Sequence, residues 1–293
     1  MDHPDPVRGG KPPWLKVRLP AGEGYRDTLR LVREGRLHTV CQDARCPNIA
    51  ECWGRRTATF MILGNVCTRG CAFCSVRSGR PGAADPEEPR RTAEAVRDLG
   101  IRHAVVTSVT RDDLEDGGAG AFAETIRWIR DLSPGTRVEV LTPDFQGKPE
   151  SLGKVWAERP DVFAHNVECV PRLQGKVRRG ADYGRSRGVL RGAKERGLVV
   201  KTGIQVGHGE AWEELLEVME DLARIGVDIL TIGQYLRPAP DRLPVERFYT
   251  PAEFALLGQE GRARGIRHVQ AGPLVRSSYR AEEPFDPPPF RSG

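Results

Sequence analysis

Four times in this chain a helix-period segment ends on a glycine and an apolar run of strand length begins at once. The junctions are DLG-IRHAVV at Gly100, ERG-LVVKT at Gly197, RIG-VDILT at Gly226 and ARG-IRHVQ at Gly265. A glycine just past a helix takes the left-handed backbone without a Cβ penalty, so it stops the helix cleanly. Strand-length runs stand at 60–64, 103–107, 137–141, 162–167, 199–206 and 228–233. Helix-period segments lie between and after them at 92–99, 120–132, 185–196, 212–225 and 252–264. Apolar strands alternating with helices predict a parallel sheet covered by helices.

Six such units make a partial or complete barrel, and a doubly wound open sheet would give a similar string. Barrels carry their chemistry at the carboxyl ends of the strands. Thr107-Ser108, Pro143-Asp144, Asn166, Glu168, Lys201-Thr202 and Gln234-Tyr235 fall where those ends are expected. That regularity favours the barrel. The expected fold class is therefore α/β, a partial (βα)6 TIM-like barrel over 59–265. An N-terminal extension, 1–58, precedes it and a C-terminal extension, 266–293, follows. Within the first, 1–14 reads as a loose arm and Tyr25 to Gly35 as a short helix with Leu29 and Val32 on one face. The Pro-rich tail from Glu282 reads as extended.

At 293 residues the chain is long enough for one large domain or two smaller ones. No apolar run is long enough to span a bilayer, and MDHPDPVRGGKPPW has no apolar signal region. A cytoplasmic location is expected, where clustered cysteines are metal ligands more often than disulfides. The net charge of +5 is a mild excess, fit for a solvated surface or for docking an acidic partner. No basic tract with interleaved aromatics suggests nucleic acid.

Six of the seven cysteines fall between Cys41 and Cys74, in two triads: Cys41, Cys46 and Cys52, then Cys67, Cys71 and Cys74. A triad leaves a tetrahedral metal or a cubane cluster one ligand short. Soft thiolates at short spacing select zinc or iron–sulfur clusters. The second set, Cys67-Thr-Arg-Gly-Cys71-Ala-Phe-Cys74, sits in the loop after the first barrel strand, where Gly70 lets three sulfurs converge. A zinc site missing its fourth ligand is the bland alternative.

This spacing, with an aromatic before the last cysteine, resembles the signature of the radical S-adenosylmethionine superfamily. The resemblance implies a [4Fe-4S] cluster whose unique iron is held by S-adenosyl-L-methionine, cleaved to a radical that abstracts hydrogen from an unactivated carbon. The first triad narrows the family. With LGNVCTRGCAFC, TSVTRDDLEDGGA, PDVFAHNVE, VRRGADYGRS, DILTIGQYL and VRSSYRA, the chain resembles the lipoyl synthases from about Trp14 to Ala281. That implies insertion of two sulfur atoms, at C6 and C8, into an octanoyl group on a lysine of a lipoyl carrier domain. It also implies a second, auxiliary [4Fe-4S] cluster, held by the first triad and a serine and consumed as sulfur donor.

Carried over by that resemblance, the serine is Ser278, the second of Arg276-Ser277-Ser278-Tyr279. An alkoxide is a poorer cluster ligand than a thiolate, so its bond should be easier to release. Nothing in the spacing links residue 278 to residue 41, and without the family the run reads as a surface turn. For S-adenosylmethionine, the superfamily points to backbone at Phe73 for the adenine. Thr107, Ser108 and the Asp116-Gly117-Gly118 turn should lie near the methionine moiety, and Asn166, Glu168 and Lys201 near ribose and carboxylate. Several of these residues could equally pin loops or cap helices. Gly207-His208-Gly209-Glu210 reads as a turn into the next helix rather than a phosphate loop.

Departures are visible. Cys169 stands where the family usually has threonine, and reads as a small buried hydrophobe. Gln205 and His208 replace the usual methionine and leucine, and Ala164 and Arg242 also differ from common choices. Both cysteine sets are intact. The partners implied are an octanoylated carrier (glycine cleavage H protein or a 2-oxo acid dehydrogenase lipoyl domain), a ferredoxin or flavodoxin, and a cluster-repair carrier, with the enzyme a monomer and neither nucleic acid nor membrane involved. The alternatives are a biotin-synthase-like sulfur-inserting enzyme, a divergent lipoyl synthase paralogue and a non-catalytic zinc-binding module.

Overall fold

Each of the six apolar runs forms a strand of one sheet in the computed structural model, which describes residues 10–17, 22–55 and 57–285. In chain order come α1 (Glu23–Glu34), β1 (His38–Thr39), α2 (Val40–Asp43) and α3 (Ile49–Gly54). Next are β2 (Thr59–Ile62), the short pair β3 (Val66–Cys67) and β4 (Arg77–Ser78), α4 (Glu88–Asp98), β5 (His103–Ser108) and α5 (Ala119–Leu132). Then follow β6 (Arg137–Leu141), α6 (Pro149–Ala157), β7 (Val162–Ala164), α7 (Gln174–Val177) and α8 (Tyr183–Glu195). The last are β8 (Val200–Val206), α9 (Trp212–Ile225), β9 (Ile229–Gln234), α10 (Pro251–Ala263) and β10 (His268–Gly272).

The sheet order is β1-β2-β5-β6-β7-β8-β9-β10, parallel from β2 onward, with β1 antiparallel at one edge. Its two edges do not pair, so the curved sheet is an open, partial barrel rather than a closed one. β2 and β9 are buried at every position, as strands covered on both faces must be. Gly100, Gly197, Gly226 and Gly265 all adopt positive φ, which explains why those four helices stop where they do.

The fold also positions what lies outside the six units. β1 pairs with β2 in the register His38↔Met61 and Thr39↔Phe60, which carries Cys41 to the amino end of β2. Thr39 caps α2 by accepting the Gln42 N–H at 3.3 Å. At the other end of β2, buried Glu88 accepts the N–H groups of Leu63 and Gly64, fixing the backbone that leads into the cysteine loop. The loose-arm reading of 1–14 falls outside the described residues up to residue 9. Beyond that, Pro13–Leu15 forms a 3-10 turn with Leu15 buried. The extended reading of the tail lies outside the described residues from 286 onward.

Candidate active site

The Cys67–Cys74 loop is anchored by charge. Arg69, between the first two cysteines, binds Asp112 at 2.6 and 2.9 Å and Asp144 at 2.7 Å. Asp144 is fully buried and also accepts Arg185 at 3.0 Å. Burial alone would raise its carboxyl; the Arg69 guanidinium overrides this and holds it well below the carboxylate range. Thr68 adds bonds in both directions, donating to the Thr110 carbonyl and accepting the Asp112 N–H. Backbone N–H groups of Arg69 and Thr110 point at the Cys67 sulfur, and that of Val76 at the Cys74 sulfur, each at 3.4 Å. Such donors favour a thiolate.

All three of these cysteines, with Cys41 and Cys46, line one cavity of about 570 Å³ inside the barrel. Cys52 joins Cys41 and Cys46 around a small adjoining recess, which Arg276 and Ser278 also border. The two sets therefore open onto a common space, one beyond the carboxyl end of β2 and the other at its amino end. Burial pushes the Cys41 thiol up to about 11, with Cys46 adding to it. It pushes Cys52 up to about 12, reinforced by Cys41 and Cys46. Burial likewise pushes Cys71 up to about 12, against the pull of Arg178, and Cys74 up to about 11. Each triad is a cluster of soft donors, largely half-buried, of the kind that an iron–sulfur group takes as ligands. Among the described residues, no three His, Cys, Asp or Glu side chains converge tightly enough for a single metal ion. The cysteines face cavities instead.

Ser278 reaches the first triad because the C-terminal turn is laid into the barrel. A Cβ at Gly203 of β8 would fall 2.9 Å from both Asn166 Oδ1 and Thr231 Oγ1, and 3.1 Å from Ser277 Oγ. A Cβ at Gly233 of β9 would collide with the Val275 carbonyl. Bare glycine backbone therefore makes the floor on which Val275-Arg276-Ser277-Ser278 lies. Asn48 donates to the Leu274 carbonyl at 2.7 Å, and Thr59 to Ser278 Oγ at 2.7 Å. The adjacent serine turns the other way: Asn166 donates to Ser277 Oγ at 2.6 Å.

Of the residues expected to meet S-adenosylmethionine, Phe73, Thr107, Ser108, Asn166 and Glu168 line the large cavity. Glu168 holds a positive φ of 64°, rare for a side-chain-bearing residue. Asn166 and Gln205 donate to its two carboxylate oxygens at 2.9 and 2.6 Å. Ser108 Oγ and Asn166 Oδ1 are buried with no partner, so the wall offers unspent polar atoms to a polar guest. This fits a compact ligand with amino, carboxylate and ribose groups.

Three residues expected near the cosubstrate, Lys201, Gly117 and Gly118, do not line the large cavity. Lys201 is the second residue of β8, not at its carboxyl end, and is 2% exposed. Its ammonium is 2.8 Å from Glu139, which also meets His103 at 3.2 Å, so it closes a buried charge cluster and does not line the cavity. Burial would raise the Glu139 carboxyl, but Lys201 and His103 hold it below its ordinary value. Gly117 and Gly118 do admit close approach, but to Phe145 and Leu63. Cys169 is 1% exposed and, as expected, packs in the core.

Residues not foreseen are Arg69 with its two aspartates, Arg178 beside Cys71, and Arg276. Arg276 borders both cavities, near Cys46 and Glu168. The sequence signal for Arg69 is its place inside the cysteine motif; in the sequence Asp144 reads only as a polar strand end. His208, a departure from the family, is buried between Phe73 and Tyr235, stacked on the latter at 4.4 Å between centroids.

The chain is similar to known proteins over most of its length. A family model described as the Radical SAM superfamily matches residues 61–222, and one described as the N-terminal domain of lipoyl synthase of the Radical_SAM family matches residues 5–46. The lipoyl synthase of Rubrobacter xylanophilus is 58% identical over 278 residues, covering 94% of this chain and 87% of that protein. That of Thermus thermophilus is 53% identical over 286 residues, covering 96% and 88%. Among solved structures, methylornithine synthase (PylB) superposes with a TM-score of 0.53 at 16% identity, covering 87% of this chain and 84% of that one. HydG, a maturase of the [FeFe]-hydrogenase, gives 0.55 at 16% identity, covering 84% and 68%. At such identities these two speak for the fold alone.

Proposed function

The chain belongs to the lipoyl synthase family of the radical S-adenosylmethionine superfamily, and on that premise we propose which of its residues do the work. Its activity is the sulfur insertion that completes a lipoyl group on a carrier protein, using S-adenosylmethionine and an iron–sulfur cluster. When bound, that pair supplies a radical able to take hydrogen from an unactivated carbon, chemistry no side chain offers.

In this reading Cys67, Cys71 and Cys74 hold the S-adenosylmethionine-binding [4Fe-4S] cluster, and Arg69 fixes their loop. Phe73, Thr107, Ser108, Asn166 and Glu168 receive the cosubstrate. Cys41, Cys46, Cys52 and Ser278 hold a second [4Fe-4S] cluster that supplies the sulfur. The observation that carries the reading is the shared cavity: both thiol sets border one space whose remaining wall includes Met61, Val76, Val109, Leu141 and Ile204. An octanoyl chain laid along those apolar side chains passes from one set toward the other, and water is kept from the reacting carbons.

The boundary at 59 follows the same roles, with the first triad before the barrel in sequence, whereas His268–Gly272 pairs with β9 as a further parallel strand and carries the barrel sheet past 265. A carrier such as glycine cleavage H protein or a dehydrogenase lipoyl domain, a ferredoxin or flavodoxin donor and a cluster-repair carrier complete the reading, around a monomeric enzyme in the cytoplasm. All seven cysteines are free, and no helix among the described residues is long and apolar enough to cross a membrane. The test is an anaerobic assay on an octanoyl-lysine peptide with S-adenosylmethionine and a reductant, followed by mass spectrometry. A product carrying two added sulfurs is expected. Turnover of dethiobiotin in its place, or colourless zinc-loaded protein, would sink the reading.

A further inference from the structure

The large cavity is apolar within and basic at its mouth. Lys11, Arg45 and Arg237 are exposed and border it, while the one carboxylate among its described lining residues is half-buried Glu168, already bonded to Asn166 and Gln205. Arg45 donates to the Pro238 carbonyl at 3.1 Å, and Arg237 to the carbonyls of Arg242 and Pro240. Those bonds orient the two guanidinium groups at the mouth and leave both charges unneutralised. The segment bearing Lys11 also bears Trp14 and Val17, 37% and 49% exposed, two of only four large apolar side chains so exposed among the described residues. A cationic rim around exposed aromatic and aliphatic surface is the composition of a protein-docking patch.

The geometry points to this rim, Lys11, Trp14, Val17, Arg45 and Arg237, as the docking surface for the folded domain that carries the octanoyl-lysine, engaged through an acidic face of that domain. The inference rests on the lipoyl synthase reading and deepens it. An acyl chain reaching into the cavity leaves its carrier seated on the mouth, where three like-signed charges select carboxylates. Charges so placed speed encounter and fix orientation, and they weaken as salt rises.

The test compares one variant pair on two substrates. Binding of octanoylated glycine cleavage H protein to the cluster-loaded enzyme is measured at about 50 and about 300 mM salt, conditions that span strong and weak screening. Lys11→Glu/Arg237→Glu is expected to weaken low-salt binding at least about tenfold and to flatten the salt dependence, with Lys11→Gln/Arg237→Gln falling between it and wild type. Turnover of a short octanoyl-lysine peptide by the same variants is expected to stay within about twofold of wild type, since the peptide lacks the acidic face. Unchanged domain binding, equal loss in the Gln and Glu pairs, or a parallel loss on the peptide would each overturn the docking surface. A wild-type enzyme that binds the domain but never adds sulfur to the peptide would instead overturn the lipoyl synthase reading, and the affinity comparison would still decide the rim.

Discussion

Ser278 Oγ accepts a 2.7 Å hydrogen bond from the Thr59 hydroxyl, across 219 residues of chain. Thr59 opens β2, the strand whose far end launches the Cys67–Cys74 loop, so one four-residue strand connects the C-terminal serine to both thiol sets. The turn is held there by the Asn48 and Asn166 bonds and by glycine floors. The exposed pairs Arg55–Glu282 and Arg280–Glu51 add little, since solvent and salt screen them. Ser278→Ala should therefore leave the fold intact, costing about 1 kcal/mol for one half-buried hydrogen bond. Formation of 5′-deoxyadenosine should persist while sulfur insertion falls at least about tenfold, as the proposed role of Ser278 in holding the second cluster predicts. Sulfur insertion at the wild-type rate would remove Ser278 from the site.

Gly233→Ala tests the floor itself. Its Cβ meets the Val275 carbonyl, a backbone atom that cannot swing aside, so the whole Arg276-Ser277-Ser278 turn must lift. On the proposed two-cluster reading, iron and sulfide content should drop by about half. Circular dichroism should stay near wild type. Full cluster content in this variant would mean that the first triad does not need the turn.

Local signals carried much of this structure. The four glycine junctions announced their positive φ angles, and the apolar runs announced the parallel sheet, because both follow from neighbours in sequence. The Cys67–Cys74 loop was legible for the same reason. Ser278 was not, because its approach to Cys41 depends on two glycines in β8 and β9 and on Asn48 and Thr59, none of which marks itself as a partner. Lys201 misled because alternation along a strand says which face a side chain takes, not how far along the barrel it stands. It lies one residue into β8, beside Glu139, where a buried charge must find a partner. Gly117 and Gly118 misled because close approach to a ligand and close approach to Leu63 demand the same residue.

Asp144 anchors the Cys67–Cys74 loop through its bond to Arg69. It is buried between Arg69 and Arg185, so Asp144→Ala leaves Arg69 with Asp112 as its remaining carboxylate and removes several hydrogen bonds, and should cost about 1–3 kcal/mol. Asp144→Asn keeps the shape and should cost less. In Asp144→Asn, 5′-deoxyadenosine formation should fall about 10–100-fold, the usual effect of losing a residue that orients ligands. Arg69→Lys should mimic it, since an ammonium cannot span both Asp112 and Asp144 as a guanidinium does. Wild-type cleavage rates in both variants would show that the loop holds its own shape.

Acid should loosen this protein through two buried imidazoles. His165 places Nδ1 2.9 Å from the Thr142 carbonyl and Nε2 3.0 Å from Ser186 Oγ, where Arg178 also donates to Ser186, so the ring sits neutral between a donor and an acceptor. Burial, and then Arg178, brings its pKa down to about 4 from 6.5; burial, and then Lys176, does the same for His208. Both folded values lie below the unfolded one, so the unfolded chain binds protons first as pH falls. The stability is complete above about pH 6.5 and drains away toward pH 4, by on the order of 3 kcal/mol for each ring. Urea unfolding of apoprotein at pH 7.5 and pH 5 should show the loss. His208→Leu should reduce the pH dependence by about half, because the two rings contribute equally, and should stabilise at both pH values, since neither nitrogen of that ring has a partner. A His208→Leu variant with the wild-type pH slope would show that folding does not lower the pKa of His208.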